Sequence, residues 1–344
     1  MKIFRGFHRP GLASACALTI GNFDGVHRGH QAMLALLNNE ASLRGVPSCV
    51  LTFEPHPRDY FAQIHKRPAL APARIGTLRD KLAELERCGV QQVVVQPFNA
   101  AFAALSAQAF IDDVVLRGLG ARYVLVGDDF RFGAQRAGGY ALLDAAGQAQ
   151  GFDVARMNSY EVHGLRVSST AVRDALERGD MQAAARLLGR PYSISGHVVH
   201  GRKLGRQLAE SRPGAGDGFR TLNLRFAHWK SAASGIFAVL VHGLADTPLR
   251  GVANLGVRPS LDPEDVNGGR VLLETHCLDW PAHLGPQGGY GKIIRVELLH
   301  KLHDELKYDS LDALTTGIAR DGADARAWFS AHAKTLRQTA RERI

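Results

Sequence analysis

Two histidines three residues apart, His27 and His30, follow glycines at Gly21 and Gly25 and enclose Gly29. At the first turn of a helix, unpaired backbone N–H groups and the positive end of the helix dipole already favour an anion. Two imidazoles there can donate hydrogen bonds to phosphate oxygens, and Gly29 leaves room for the ligand. A zinc pair or two solvated histidines are the alternatives. Neither accounts for the glycines, and no cysteine or third histidine lies close in sequence. A second cluster, Ser168-Ser169-Thr170 followed by Arg173, places three hydroxyls at the head of a helical pattern. One hydroxyl would suffice as an N-cap. Three, with a guanidinium one turn on, also suit phosphate, and the two uses are compatible. Thr221 and Asn223 alternate onto one face of a strand and offer hard oxygen atoms, which Mg²⁺ prefers. Glu274 interrupts the apolar run 271–276. A carboxylate there is paired, functional, or turned to solvent by the alternation; as a general base it would take a proton from a hydroxyl nucleophile.

Two further stretches carry less. Gly127-Asp128-Asp129-Phe130-Arg131-Phe132-Gly133 follows a strand, and Phe132 with Phe61 could stack on a flat heterocycle. An ordinary turn holding one core Phe has the same composition. Gly201-Arg202-Lys203-Leu204-Gly205-Arg206 could wrap phosphates through backbone N–H groups, or be a solvated basic hairpin. No GxxxxGK[ST] loop is present, and no GxGxxG follows a strand.

The elements that must position these residues fall into two patterns. Up to about residue 188, strands alternate with helices: strands at 16–20, 48–53, 92–95 and 123–126, helices at 31–43, 77–88 and 107–119, then short helices at 171–177 and 180–188. The strand at 48–53 ends at Glu54-Pro55-His56-Pro57, which neither continues a ladder nor starts a helix cleanly. Strands separated by helices imply a parallel sheet with helices on both faces, whose ligands gather at the strands' carboxyl ends. Three loops fall there: 21–30, 54–61 and 127–133. Gly189-Arg190-Pro191-Tyr192 marks a boundary. Beyond it, short strands at 193–199, 222–226, 236–242, 251–256, 270–277 and 292–299 predict a small closed β-barrel. A helical period returns from Ser310. Residues 209–218 read as an inserted flexible loop.

At 344 residues the chain is long enough for two domains, and its 45% hydrophobic and 22% charged content is that of a globular protein. A formal charge of +9 suits anionic partners. The four scattered cysteines form no CxxC pair, the N-terminus makes a poor signal peptide, and no apolar run reaches the length of a membrane span. The expectation is a cytoplasmic protein.

The stretch from Gly21 to His30 contains an HxGH signature and resembles the nucleotidyltransferase superfamily; in its longer form it resembles the bacterial bifunctional riboflavin kinase/FAD synthetases. The likeness continues through the Thr-Phe-Glu-Pro-His-Pro segment from Thr52, Gly127 to Gly133, and Ser168-Ser169-Thr170 with Arg173. The second half resembles a riboflavin kinase in 201–206, in 251–256 with Arg258-Pro259, in Leu273-Glu274-Thr275-His276, and in Asp304-Glu305-Leu306-Lys307-Tyr308. Where that family has Pro-Thr-Ala-Asn, this chain has Arg220-Thr221-Leu222-Asn223, preceded by the ten-residue insertion. The resemblance implies an FMN adenylyltransferase domain over 1–188 and a riboflavin kinase domain over 189–344. The second would move the γ-phosphate of ATP to the riboflavin 5′-hydroxyl, and the first would transfer AMP from ATP to FMN, giving FAD and diphosphate.

It further implies ATP contacts in the first domain from Gly21, Phe23, His27, His30, Asp129, Ser168, Ser169, Thr170 and Arg173, with flavin at Phe61 and Phe132. In the barrel it implies ATP at Gly201, Lys203, Gly205, Thr221 and Asn223, Mg²⁺ held by Thr221 and Asn223, and Glu274 as base. ATP, riboflavin, FMN and FAD would be the only partners of a monomer or weak oligomer, without nucleic acid or membrane. A different HxGH nucleotidyltransferase with an accessory barrel, a nucleic-acid-binding protein and a flavoprotein oxidoreductase are the rival readings. The first leaves Thr221, Asn223 and Glu274 unexplained, the second has dispersed basic residues, and the third lacks its dinucleotide fingerprint.

Overall fold

Side chains alternate between the two faces of a strand, so a strand buried on both faces must be apolar throughout. Cys16–Ile20 (β2), Ser48–Glu54 (β3), Gln92–Pro97 (β4) and Ala121–Gly127 (β5) meet it in their central residues, with a few buried polar side chains such as Thr19 and Thr52 among them. In the computed structural model, which describes residues 1–158, 160–162, 165–200, 221–226, 230–256, 271–285 and 287–336, these strands form the centre of a six-stranded parallel sheet. Lys2–Arg5 (β1) and Asp153–Met157 (β6) are its edges, in the order β1-β4-β3-β2-β5-β6. Leu18, Leu51, Val94 and Val124 turn to one face, onto Ile111 and Val114 and onto Leu143 of the helix Tyr140–Gln150. Ala17, Val50, Val93 and Leu125 turn to the other, onto Leu34 and Leu37 of Arg28–Leu43 (α1) and Leu85 of Leu78–Arg87. The chain leaves β2 towards β3 and β4 and returns to β2's other side as β5, which makes the β2–β5 junction a topological switch point.

Two expectations need correction. A helix does begin at Pro57 (α2, Pro57–Ile64), because a proline at the first helical position lacks only an N–H that would have had no partner. His56 caps it, its Nδ1 accepting from the Arg58 N–H at 3.1 Å. The segment 107–119 is not one α-helix: a single turn, Ala107–Ala109, runs on into π-helical Phe110–Gly118, closed by Leu119 N–H donating to Val114 O at 3.0 Å. For the rest of this half we use α3 for Leu78–Arg87, α4 for Ala100–Ala103, α5 for Ala107–Ala109 and α6 for Tyr140–Gln150, followed by the two-stranded pair Glu161–Val162 (β7) and Leu165–Arg166 (β8). The edge strands, α4 and α6 were not read from the sequence. Ser169–Glu177 (α7) and Met181–Leu188 (α8) close this part of the chain.

The six expected strands of the second half form a closed antiparallel barrel: Ser193–Val199 (β9), Thr221–Arg225 (β10), Gly235–His242 (β11), Leu249–Gly256 (β12), Leu272–Cys277 (β13) and Ile293–His303 (β14). Leu224, Val239, Leu255, Leu273 and Val296, with Ile194, fill its interior. The basic turn at 201–206, with Gly201, Lys203 and Gly205, the insertion at 209–218, Arg220, and Arg258-Pro259 lie outside the described residues. By contacts the chain falls into two units: Met1–Pro72 with Leu78–Ala171, and Ala73–Thr77 with Val172–Ile344. No described helix is long and apolar enough to cross a membrane.

The helix expected from Ser310 is Leu311–Ala331 (α9), capped by the Ser310 hydroxyl. Ala325 and Phe329 pack on Ala238 outside the barrel. An ion pair fixes it: His303 Nε2 lies 2.8 Å from Asp321 Oδ1, and His303 Nδ1 lies 2.6 Å from the Asp304 carbonyl. Burial lowers the His303 pKa, but that carbonyl and the Asp321 carboxylate outweigh it, and the net shift is upward. A raised folded-state pKa gives stability that is complete below the unfolded value of about 6.5 and is lost as pH rises through the folded value. The melting temperature of His303→Gln should therefore lie furthest below the parent's at about pH 6 and approach it above the raised value. A gap that does not change with pH would remove the charged pair from the account.

Candidate active sites

The loops after β2, β3 and β5 rise from the carboxyl ends of three adjacent strands. Between β2 and α1 the backbone is strained: Phe23 has φ 49° and Val26 φ 40°, a region a β-branched residue rarely enters. Both side chains are buried beside Leu34 and Leu37, and this packing holds the conformation. Gly21 suits this position, because a Cβ would stand 3.1 Å from the buried Phe23 ring, which would have to shift. His27 is the N-cap of α1: its Nδ1 accepts from the His30 N–H at 3.3 Å, so in the neutral ring the proton sits on Nε2. The two imidazoles stack at 3.7 Å. A Cβ on residue 29 would lie 3.3 Å from the His27 ring, so this glycine serves the histidine stack as well as any ligand. Burial first, then His27 and Lys81, lowers the His30 pKa well below its usual value. His30 is therefore neutral, and its buried Nδ1 has no hydrogen-bond partner.

The three hydroxyls after Val167 divide their work. Ser168 Oγ accepts from Ala171 N–H at 3.1 Å and caps α7; Ser169 Oγ donates to the Asp24 carbonyl at 3.1 Å and ties α7 to the strained loop; Thr170 is exposed. Arg173, further along α7, belongs by contacts to the other unit, where its Nε donates to the Ala73 carbonyl at 2.6 Å. Two residues lie behind the loop, Thr52 and a lysine not singled out in the sequence. Lys81 on α3 donates to Thr52 Oγ1 at 3.2 Å, and Thr52 Oγ1 is 3.2 Å from the Asn22 carbonyl.

Phe61 is 42% exposed and Phe132 only 6%. They stand at opposite parts of one run of touching rings, Phe61–Phe98–Phe102–Phe110–Phe132, with centroids 5.3 to 6.1 Å apart, and Phe130 stacks on Phe132 at 5.4 Å. Phe98, Phe102 and Phe110 come from separate elements and leave no spacing in sequence. Phe132 thus packs as a core ring that backs Phe130. Asp129 is exposed, while its neighbour Asp128 pairs with Arg166 at 3.3 Å.

On the barrel, register supplies the geometry. Glu274 on β13 pairs with Asn223 on β10 and with Asn254 on β12. Residues directly opposed in antiparallel strands share a face. Since Leu224, Leu255 and Leu273 turn inward, this polar row lies on the outer surface. Glu274 is half-buried, Asn223 is 2% exposed, and the Oδ1 atoms of Asn223 and Asn254 are buried without a partner. Asn223 Nδ2 lies 3.4 Å from Thr221 Oγ1, so hydroxyl and amide do share a face. Asn254 Nδ2 donates to Glu305 Oε1 at 3.1 Å, and a Cβ on residue 256 would stand 2.8 Å from Glu305 Oε2. Asn254 and Glu305 thus join the row, brought there by strand register rather than by any spacing the sequence displays. Among the described residues, no cluster of three or more His, Cys, Asp or Glu side chains could hold a metal.

A family model described as FAD synthetase matches residues 10–171, and one described as riboflavin kinase matches residues 188–329. The chain is 44% identical over 331 residues to a bifunctional riboflavin kinase/FMN adenylyltransferase of Escherichia coli (strain K12), covering 96% of this chain and 98% of that protein. It is 40% identical to the protein of the same description from Haemophilus influenzae, covering 96% of this chain and all of that one. Among solved structures it resembles a macrolide-efflux protein from Streptococcus pneumoniae, with a TM-score of 0.66 and 25% identity over 95% of this chain and 98% of that one.

Proposed function

The chain belongs to the family of bifunctional riboflavin kinases/FMN adenylyltransferases, and from that premise we propose how its residues divide the two reactions. The enzyme is a transferase that converts riboflavin and ATP to FMN, and FMN and ATP to FAD. Phosphoryl transfer belongs to the barrel, within 189–344, and adenylyl transfer to the parallel-sheet half, within 1–188.

The buried Asn223 Oδ1 without a partner carries the barrel assignment. An acceptor left unpaired in the interior costs about 1–3 kcal/mol, and binding a cation relieves that cost. Thr221 and Asn223 offer the hard oxygen atoms that Mg²⁺ takes, and when bound it would neutralise charge on the ATP phosphates. Glu274, opposite Asn223 on the next strand, accepts the proton of the riboflavin 5′-hydroxyl as that oxygen attacks the γ-phosphorus and the bond to the β–γ bridging oxygen breaks, releasing ADP. In the other half, the FMN phosphate is already largely ionised, with a second pKa of about 6. That step needs alignment and charge neutralisation, not a strong base. His27 and His30 donate hydrogen bonds to the ATP phosphates, helped by the N–H groups opening α1. Phe61 and Phe130, backed by Phe132, offer rings to the isoalloxazine.

The test is direct. Protein given riboflavin, ATP and Mg²⁺ should yield FMN and then FAD, separated by chromatography. Asn223→Ala should make no FMN from riboflavin yet make FAD normally from supplied FMN. Full kinase activity in Asn223→Ala would end the metal assignment.

A further inference from the structure

The apolar side of α3 is built from Leu78, Leu82 and Leu85, and one turn position on that side is a lysine. Lys81 is 4% exposed, and lysine is almost never buried unless its ammonium is held. Its Nζ lies 3.2 Å from Thr52 Oγ1 on β3, a residue with no exposed surface. That hydroxyl is in turn 3.2 Å from the Asn22 carbonyl. An ammonium has donors only, so Thr52 must accept from Lys81 and give its own proton to Asn22. The relay has one direction, from α3 through β3 to the strained loop that ends at His27. Lys81 also acts on His30 through its charge, third after burial and His27 among the causes that keep the ring neutral. A leucine would fill position 81 as core packing; packing does not explain a buried cation aimed at this loop.

We propose that Lys81 is a positioning residue for adenylyl transfer, fixing through Thr52 the loop that presents His27 and His30 to the phosphates. This rests on the reading that adenylyl transfer occurs at that loop. The side chain sets the angle of the loop's entry at Asn22, while Ser169 holds its middle at Asp24. With its entry and middle tied, the loop holds the histidines so that they need no rearrangement when a nucleotide arrives.

Lys81→Met keeps the length of the side chain and removes its donors and charge. The kcat for FAD formation from FMN should fall by about 10²-fold, the scale of a small misplacement of catalytic groups. FMN formation by the same sample should be unchanged and reports that the protein is folded. The His30 ring, followed by NMR in the free enzyme, should titrate at a higher pH than in the parent, because its imidazolium would no longer meet a second cation besides His27. A packing role would leave that titration in place. Thr52→Val breaks the relay without touching the ammonium, and should lower the rate while leaving the His30 titration where it was. Should Lys81→Met fail to fold, Thr52→Val alone decides: a normal rate overturns the proposal. Unchanged rate and unchanged His30 titration in Lys81→Met also overturn it. His30→Ala separates the two levels. If it retains FAD synthesis, the site reading has failed; if it loses FAD synthesis while Lys81→Met and Thr52→Val do not, only the role of Lys81 has.

Discussion

Replacing Glu274 by glutamine should lower kcat for FMN formation by about 10²–10⁴-fold, the usual worth of a positioned general base. In barrier terms that is about 3–5 kcal/mol. Glutamine keeps the shape and most of the hydrogen bonding of the side chain but cannot accept a proton. Glu274 is half-buried on β13, flanked in register by Asn223 and Asn254, so it stands where a hydroxyl could approach beside a bound triphosphate. The KM for ATP should change little, because the proposed metal ligands remain. FAD formation from FMN should be untouched. A structural carboxylate predicts the opposite pattern, a lower melting temperature with normal kcat in the folded fraction. Both quantities read on one Glu274→Gln sample decide the matter, and a normal kcat ends the assignment.

The double replacement His27→Ala, His30→Ala should abolish FAD formation while FMN accumulates from riboflavin. Losing one preorganised donor to developing phosphate charge costs about 10²–10³-fold. Two stacked donors, one of which also caps α1, should together leave no measurable adenylyl transfer. Equal loss of FMN formation, with melting behaviour intact, would show that the reactions are not divided between the two halves as proposed.

The period of the sequence made most of this fold legible. Six barrel strands and four sheet strands could be placed because apolar runs and glycine turns are local signals. What escaped was set elsewhere. Lys2–Arg5 is polar at its ends and becomes a strand only because β4 offers it an edge. α2 was hidden by two prolines, the second of which, Pro57, is its first residue. Within the sites, the segments carrying Asn254 and Glu305 stood out only by resemblance; their pairing with each other and with Glu274, like the meeting of the rings of Phe98, Phe102 and Phe110, comes from register and packing. Lys81 did leave a trace: a lysine on the same side of a helix as three leucines is a local contradiction, and such contradictions mark functional positions.

The short segment Ala73–Thr77 belongs by contacts with the barrel, not with the residues on either side of it. Ile75 is 2% exposed within the barrel's core cluster, Arg74 bridges to Ser231, and the Arg74 N–H donates to the Lys230 carbonyl at 3.0 Å. This governs how the chain can be dissected. A gene fragment beginning at Val172 would encode every barrel strand and every other buried residue of that core cluster yet lack the isoleucine, a deficit on the scale of a large-to-small core substitution, about 2–5 kcal/mol. Point substitution can part the two activities; scissors cannot do so cleanly, because five residues of the first half are a built-in component of the second.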